Sequence, residues 1–182
     1  FLCVPQREVE RIVTLNTSGT SGGEKRIFFS KEDLRLTIDF FQHGMNCLIE
    51  KEDRVLVLLP GNSLGSIGDL LKKALAISKI DCTVKGVLGD VEKTGKFIVD
   101  NNVNCIVGIP MQVQYLSRMK REIFKKRIEK VLLSTDYVPK TIIDELTNEY
   151  ECKVFTHYGM TEMGYGGGVE CQALNGYHMR EG

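Results

Sequence analysis

The chain has 182 residues, 42% hydrophobic and 26% charged, enough for one α/β domain with a buried core. Lys plus Arg and Asp plus Glu both total 24, with no strong concentration of one sign, which argues against DNA, RNA or an anionic membrane as a partner. The longest apolar run, Val55 to Leu59, is too short to span a bilayer, and the opening FLCVPQREVER lacks the apolar core of a signal peptide, so a cytoplasmic protein is expected.

In chain order, runs rich in Val, Ile or Phe predict strands over Arg11 to Asn16, Arg26 to Phe29, Arg54 to Leu59, Cys82 to Val84, Asn104 to Val107, Lys130 to Ser134 and Lys153 to Thr156. Helical periodicity separates most of them. Ser30 is placed to cap a helix over Lys31 to Cys47, with Glu32 and Asp33 in its first turn. Asp90 is placed to cap a later helix that sets Val91, Thr94, Phe97 and Ile98 on one face. Pro139 opens another, striped by Ile142, Ile143 and Leu146. Strands alternating with crossover helices predict an α/β fold, a mainly parallel sheet flanked by helices, whose ligands bind beyond the carboxyl ends of the strands. Three loops there carry the chemistry: Asn16 to Lys25, Ser134 to Pro139 and His157 to Gly168. The six cysteines form no CxxC pair, and most read as reduced core residues.

The first of these loops, TSGTSGGEKR, brings hydroxyls, glycines and a lysine together directly after a strand, so backbone N–H groups, side-chain hydroxyls and an ammonium can converge on a triphosphate. It is not a Walker loop, because Glu24 stands where that pattern needs Gly and Arg26 where it needs Ser or Thr. The strand-like RIFFS that follows predicts a hairpin over the phosphates; a plain Gly/Ser surface turn is the competing reading. HYGMTEMG offers an aromatic ring that can cover a base, a hydroxyl for a phosphate oxygen and a carboxylate suited to Mg²⁺.

TSGTSGGEK resembles the TSGTTGxPK phosphate loop of the adenylate-forming superfamily, and YGMTE its YGxTE motif, in the expected order along the chain. The resemblance implies that residues 1–182 are a fragment of the AMP-binding N-terminal domain, with the C-terminal lysine-bearing domain absent. Phe1 is not an initiator Met, and the chain stops after a turn-like GYHMREG, which predicts the same. It implies ATP and Mg²⁺ as cofactors. Thr17, Ser18, Gly19, Thr20, Ser21, Gly22, Gly23 and Lys25 would hold the phosphates, although Glu24 replaces the usual Pro. Ser134, Thr135 and Asp136 would border the adenine pocket, with Thr135 where the family commonly has Gly. His157, Tyr158, Gly159, Met160 and Thr161 complete the nucleotide site, Tyr158 stacking on adenine and Thr161 touching the α-phosphate, and Glu162 binds Mg²⁺. Thr161, Glu162 and Lys25 carry the catalysis.

GVECQALNGYHMRE, LPGNSLGSIG and IVGIPMQVQYLS resemble the phenylacetate-CoA ligase branch. That implies activation of a carboxylic acid to an acyl-adenylate, transfer to coenzyme A as acceptor, and a homodimer as the assembly common in the branch. Three alternatives stay open: a nucleotide-binding fragment without complete catalysis, transfer to a protein or other non-CoA acceptor, and an unrelated α/β regulator. The acyl pocket is expected among dispersed apolar and glycine positions, including Gly61 to Gly68 and Tyr165 to Gly168. Cys171 and His178, joined by Cys152 or His157, would make a zinc set, but without the paired short spacing of a zinc finger, core thiols and surface histidines are the plainer reading.

Overall fold

The computed structural model describes residues 5–15 and 25–180. After a single turn over Gln6–Glu8, strands β1 (Val9–Leu15) and β2 (Lys25–Ser30) pair antiparallel as a sheet of their own. The first two expected strands are thus a separate hairpin and do not join the parallel sheet. Helix α1 (Lys31–Asn46) starts with a capping box: the Ser30 hydroxyl accepts from the Asp33 N–H, while the Asp33 carboxylate accepts from the Ser30 N–H.

The main sheet then assembles as β3 (Arg54–Leu58), α2 (Ile67–Ile77), β4 (Asp81–Val84), α3 (Val91–Asp100), β5 (Cys105–Gly108), α4 (Pro110–Met119), α5 (Arg121–Arg127), β6 (Lys130–Leu133), α6 (Lys140–Tyr150) and β7 (Lys153–Tyr158). Asp90 caps α3 through the Lys93 N–H, and Pro110 opens α4, where a missing N–H costs nothing. Two short strands, β8 (Gly168–Glu170) and β9 (Tyr177–Met179), add antiparallel at the edge, giving the order β4-β3-β5-β6-β7-β8-β9. Their length, three residues each, left them below the resolution of the sequence pattern.

Alternation along the central strands divides the core. Val55, Val57, Cys105, Val107, Leu132 and Phe155 face α1 and α2, while Leu56, Leu58, Ile106, Val131, Leu133 and Val154 face α3 to α6. Beneath the sheet, Asp53 and Lys130 form a buried ion pair at 2.7 Å, and Asn104 and the Glu50 N–H also donate to Asp53. Burial alone would raise the Asp53 carboxyl, but the bonds from Lys130, the Glu50 amide and Asn104 outweigh it and hold the group below its ordinary value.

Of the five described cysteines, all unpaired, Cys105 and Cys152 are buried, Cys82 and Cys171 half-buried and Cys47 exposed. Burial pushes the Cys82 and Cys152 thiols up to about 12, so they behave as small apolar groups. Among the described residues no three His, Cys, Asp or Glu side chains gather to hold a metal ion. Cys152 donates instead to the Ile128 carbonyl at the foot of β7, remote from His157 at its far end. No described helix is long and apolar enough to cross a membrane.

Candidate functional site: a cleft at the switch point of the sheet

The chain leaves β3 toward β4 on one side and leaves β5 toward β6 on the other, so the strand order reverses between β3 and β5. Loops diverge at such a point and open a crevice beyond the carboxyl ends of the strands. Here a cleft of about 420 Å³ is lined by Pro60 after β3, Ile109 after β5, Ser134 and Thr135 after β6, and His157, Gly159, Met160, Thr161, Glu162 and Tyr165 at the end of β7. Seven of the residues singled out in the second and third loops therefore converge. His157 and Tyr158 still belong to β7, so that loop begins at Gly159.

Residues 159–167 are shaped by close backbone packing. A Cβ on Gly159 would collide with the Tyr165 carbonyl oxygen, so only glycine fits. A 3-10 turn over Thr161–Met163 ends on Gly164 at φ +65°, and Tyr165 follows at φ +70°, which turns the chain back toward β8. Three contacts then fix the turn: Thr37 on α1 donates to the Gly164 carbonyl at 2.8 Å, Arg180 donates to the Met163 carbonyl at 3.0 Å, and the Tyr165 ring stacks on Phe29 of β2 with centroids 5.8 Å apart. Glu162 is exposed at its apex.

A second hollow of about 360 Å³ adjoins the first, lined by Ile27, Phe28 and Phe29 of β2, Asp33, Glu162, Met163, Gly164, Gly166 and Arg180. Glu162 lines both. The hairpin strand that follows the TSGTSGGEK segment therefore shares one hollow with Glu162, and Glu162 shares the next with Ser134 and Thr135. Thr17, Ser18, Gly19, Thr20, Ser21, Gly22 and Gly23 lie outside the described residues, and for Lys25 only the backbone, in β2, is described. One exposed carboxylate beside room for a polyphosphate suits Mg²⁺, which is commonly bound by one or two carboxylates plus substrate phosphates.

Two expected site residues are not among those lining the cleft. The Tyr158 ring lies 6.4 Å from Tyr177 of β9, and the Asp136 carboxylate accepts from the Tyr137 N–H. Thr135 has φ +72°, a left-handed conformation costly for a β-branched residue.

His157 forms the floor. Its Nδ1 pairs with the Ser134 hydroxyl at 2.8 Å, its ring lies about 6 Å from both Phe40 and Phe41 of α1, and Nε2 is buried without a partner among the described residues. Burial lowers its pKa to about 4, so the ring is neutral at physiological pH. Beside it lies a small apolar pocket of about 20 Å³, which shares Ile67, Ser134 and His157 with the cleft. Its other walls are Phe40, Phe41, Gly44, Met45, Leu59, Leu71, Val107, Leu132 and Val169. Gly61 and Gly68, expected near an acyl group, pack instead against each other and against Val84, while Ile67 between them faces the pocket. Phe40 and Phe41 escaped the sequence reading because nothing separates a pocket wall from an ordinary core face on a helix. Glu170 escaped it too: it accepts from both the N–H and the hydroxyl of Thr156 and fastens β8 to β7.

No known family profile matches the chain, and no curated protein matches it in sequence. Solved structures do match in fold. A 2-hydroxyisobutyryl-CoA ligase in complex with 2-HIB-AMP and CoA aligns over 96% of this chain and 42% of its own, with a TM-score of 0.75 at 16% identity. O-succinylbenzoate coenzyme A synthetase from Bacillus subtilis, in complex with AMP, aligns over 90% of this chain and 32% of its own, with a TM-score of 0.66 at 21% identity. The NpsA N-terminal subdomain from Klebsiella oxytoca, in complex with anthranilyl-AMSN, gives a TM-score of 0.66 at 17% identity over 88% of this chain and 40% of its own. The chain thus spans less than half the length of each of these proteins, and over that span its α/β architecture is similar to theirs in fold.

Proposed function

We propose that this chain is the nucleotide-binding core of a ligase that uses ATP to activate a carboxylic acid as an acyl-adenylate, with coenzyme A as the subsequent acceptor. The observation that carries the proposal is the position of Glu162, on the wall common to the hollow beside β2 and the cleft below Ser134 and Thr135. A nucleotide laid along that line has its phosphates toward the hairpin and its base toward the end of β6.

In the proposed reaction a carboxylate oxygen of the acid attacks the α-phosphorus, the bond from that phosphorus to the bridging oxygen breaks, and pyrophosphate leaves with the electron pair. No protein nucleophile takes part, so the chain's work is positioning and charge neutralisation. Thr17, Ser18, Thr20, Ser21 and Lys25 hold the departing phosphates, Thr161 donates to the α-phosphate, and Tyr158, whose ring rests beside Tyr177 outside the cleft lining, would have to turn from it to cover the adenine. Glu162 would hold Mg²⁺, whose charge offsets that of the phosphate oxygens. The neutral His157 adds no charge to the cleft floor, which leaves it suited to the uncharged part of the acid. The phenylacetate-CoA ligase resemblance supports coenzyme A as acceptor, and the charged opening segment FLCVPQREVER supports a cytoplasmic setting.

Calorimetric titration of the chain with ATP and Mg²⁺ tests this. Binding should weaken by about tenfold in Glu162→Ala and in Tyr158→Ala, each removing one charge-assisted or stacking contact. ATP binding indifferent to both substitutions would refute the proposal. Because the chain spans 42% of the ligase described first, a second outcome is also favoured: ATP held without carboxylate-dependent pyrophosphate exchange, which would make the chain a binding module.

A further inference from the structure

Arg180 ties the end of β9 to both ends of the loop that carries Thr161 and Glu162. Its backbone N–H donates to the Gly167 carbonyl at 2.8 Å, and its Nη1 donates to the Met163 carbonyl at 3.0 Å. A Cβ on Gly164 would stand 3.4 Å from the same Nη1, so the guanidinium lies close against the turn over Thr161–Met163.

The side chain also lines the hollow beside β2, where the other charged walls among the described residues are Asp33 and Glu162. Asp33 is already engaged in the cap of α1, its carboxylate accepting from the N–H and the hydroxyl of Ser30 at 2.7 and 2.8 Å. Two carboxylates alone would repel a polyphosphate, and Arg180 is the cation that stands with them. Bracing the turn does not exhaust it. A guanidinium presents several N–H donors in a fixed fork, and among the described residues the bond to Met163 is the one its side chain makes, with no carboxylate paired to it.

We infer that Arg180 binds the β- and γ-phosphates of ATP, an assignment that rests on the nucleotide site proposed above. A planar fork matches phosphate oxygens in pairs, and the guanidinium keeps its proton throughout. When the bond from the α-phosphorus to the bridging oxygen breaks, the electron pair leaves with pyrophosphate, and the charge of Arg180 offsets the negative charge that gathers there. The same group holds the Met163 carbonyl, so one side chain sets both the grip on the leaving phosphates and the placement of Thr161 and Glu162.

Dissociation constants for ATP, AMP and sulfamoyl-adenosine, the last with base and ribose but no phosphate, test this on the chain itself in the presence of Mg²⁺. Arg180→Gln removes the charge and keeps an N–H donor for the Met163 carbonyl. ATP should bind this variant about tenfold less tightly, the scale of one charge-assisted hydrogen-bonding group, while AMP and sulfamoyl-adenosine change by less than about twofold. Arg180→Lys, which keeps the charge and loses the fork, should fall between the two. If Arg180→Gln does not fold, Arg180→Lys decides alone, by weakening ATP about threefold with AMP unchanged. Equal weakening of all three ligands would make Arg180 a brace for the turn and overturn the inference, as would ATP binding unmoved by the substitutions. Failure of the unaltered chain to bind any of the three would overturn the nucleotide proposal and this inference with it. Binding of all three by the unaltered chain, with ATP and AMP equally affected in the variants, would overturn only the inference.

Discussion

His157 couples the site to stability in a way that can be measured without knowing any ligand. In the folded chain burial lowers its pKa from the ordinary 6.5 to about 4. A depressed folded value means that the folded state prefers the neutral ring. The associated stability is complete above pH 6.5 and is lost as the unfolded chain takes the proton first, down through pH 4. Between pH 7 and pH 5 the loss amounts to about 2 kcal/mol. Urea unfolding of the unaltered chain and of His157→Asn at both pH values isolates it, since His43 and His178 are retained in both and cancel. Asn cannot titrate, and its amide can still meet Ser134. At pH 7 the variant should be less stable, by about 1–2 kcal/mol, because its smaller side chain leaves space beside Phe40 and Phe41. At pH 5 the difference should have vanished or reversed. Parallel loss of stability in the two proteins would refute the burial argument for this ring.

Thr135→Gly should stabilise the chain by about 1 kcal/mol in the same urea assay, because glycine occupies the left-handed region without the steric penalty that Thr135 bears at φ +72°. Lys130→Met should cost about 3 kcal/mol at pH 7 by leaving the Asp53 carboxylate buried with only neutral donors. That deficit should shrink toward pH 4, since without Lys130 burial makes the carboxyl easier to protonate; a deficit constant with pH would count against the assignment. Gly159→Ala should lower Tm and also abolish sulfamoyl-adenosine binding, because the Cβ meets backbone at Tyr165 that has no rotamer by which to yield. Ser30→Ala should cost about 1 kcal/mol, read from the urea midpoint, through loss of the capping box at α1.

The mainly parallel character of the main sheet, though not its strand order, follows from periodicity, because a strand such as Arg54–Leu58 buried on both faces and a helix such as Val91–Asp100 buried on one leave different local patterns. The caps at Ser30 and Asp90 were legible for the same reason: the donor and acceptor are three residues apart in the chain. The second and third loops could be chosen because loops at strand ends carry chemistry and their residue types announce it.

What depends on residues distant in sequence had no local signature. The antiparallel pairing of β1 with β2 was expected from the strand-like RIFFS, but that the pair stands apart from the main sheet is a matter of which edge they meet and not of their composition. Tyr158 beside Tyr177, Thr37 on the Gly164 carbonyl and Phe29 against Tyr165 each join segments that only the folded chain brings together. The size of the pocket belongs to the same class. Composition and order along the chain fixed the kinds of groups at the site, because those are properties of single residues and short spacings. The 20 Å³ left between Phe41, Leu71, Val107 and Val169 is a small difference between large packed volumes contributed by two helices and four strands, and only tertiary packing sets it.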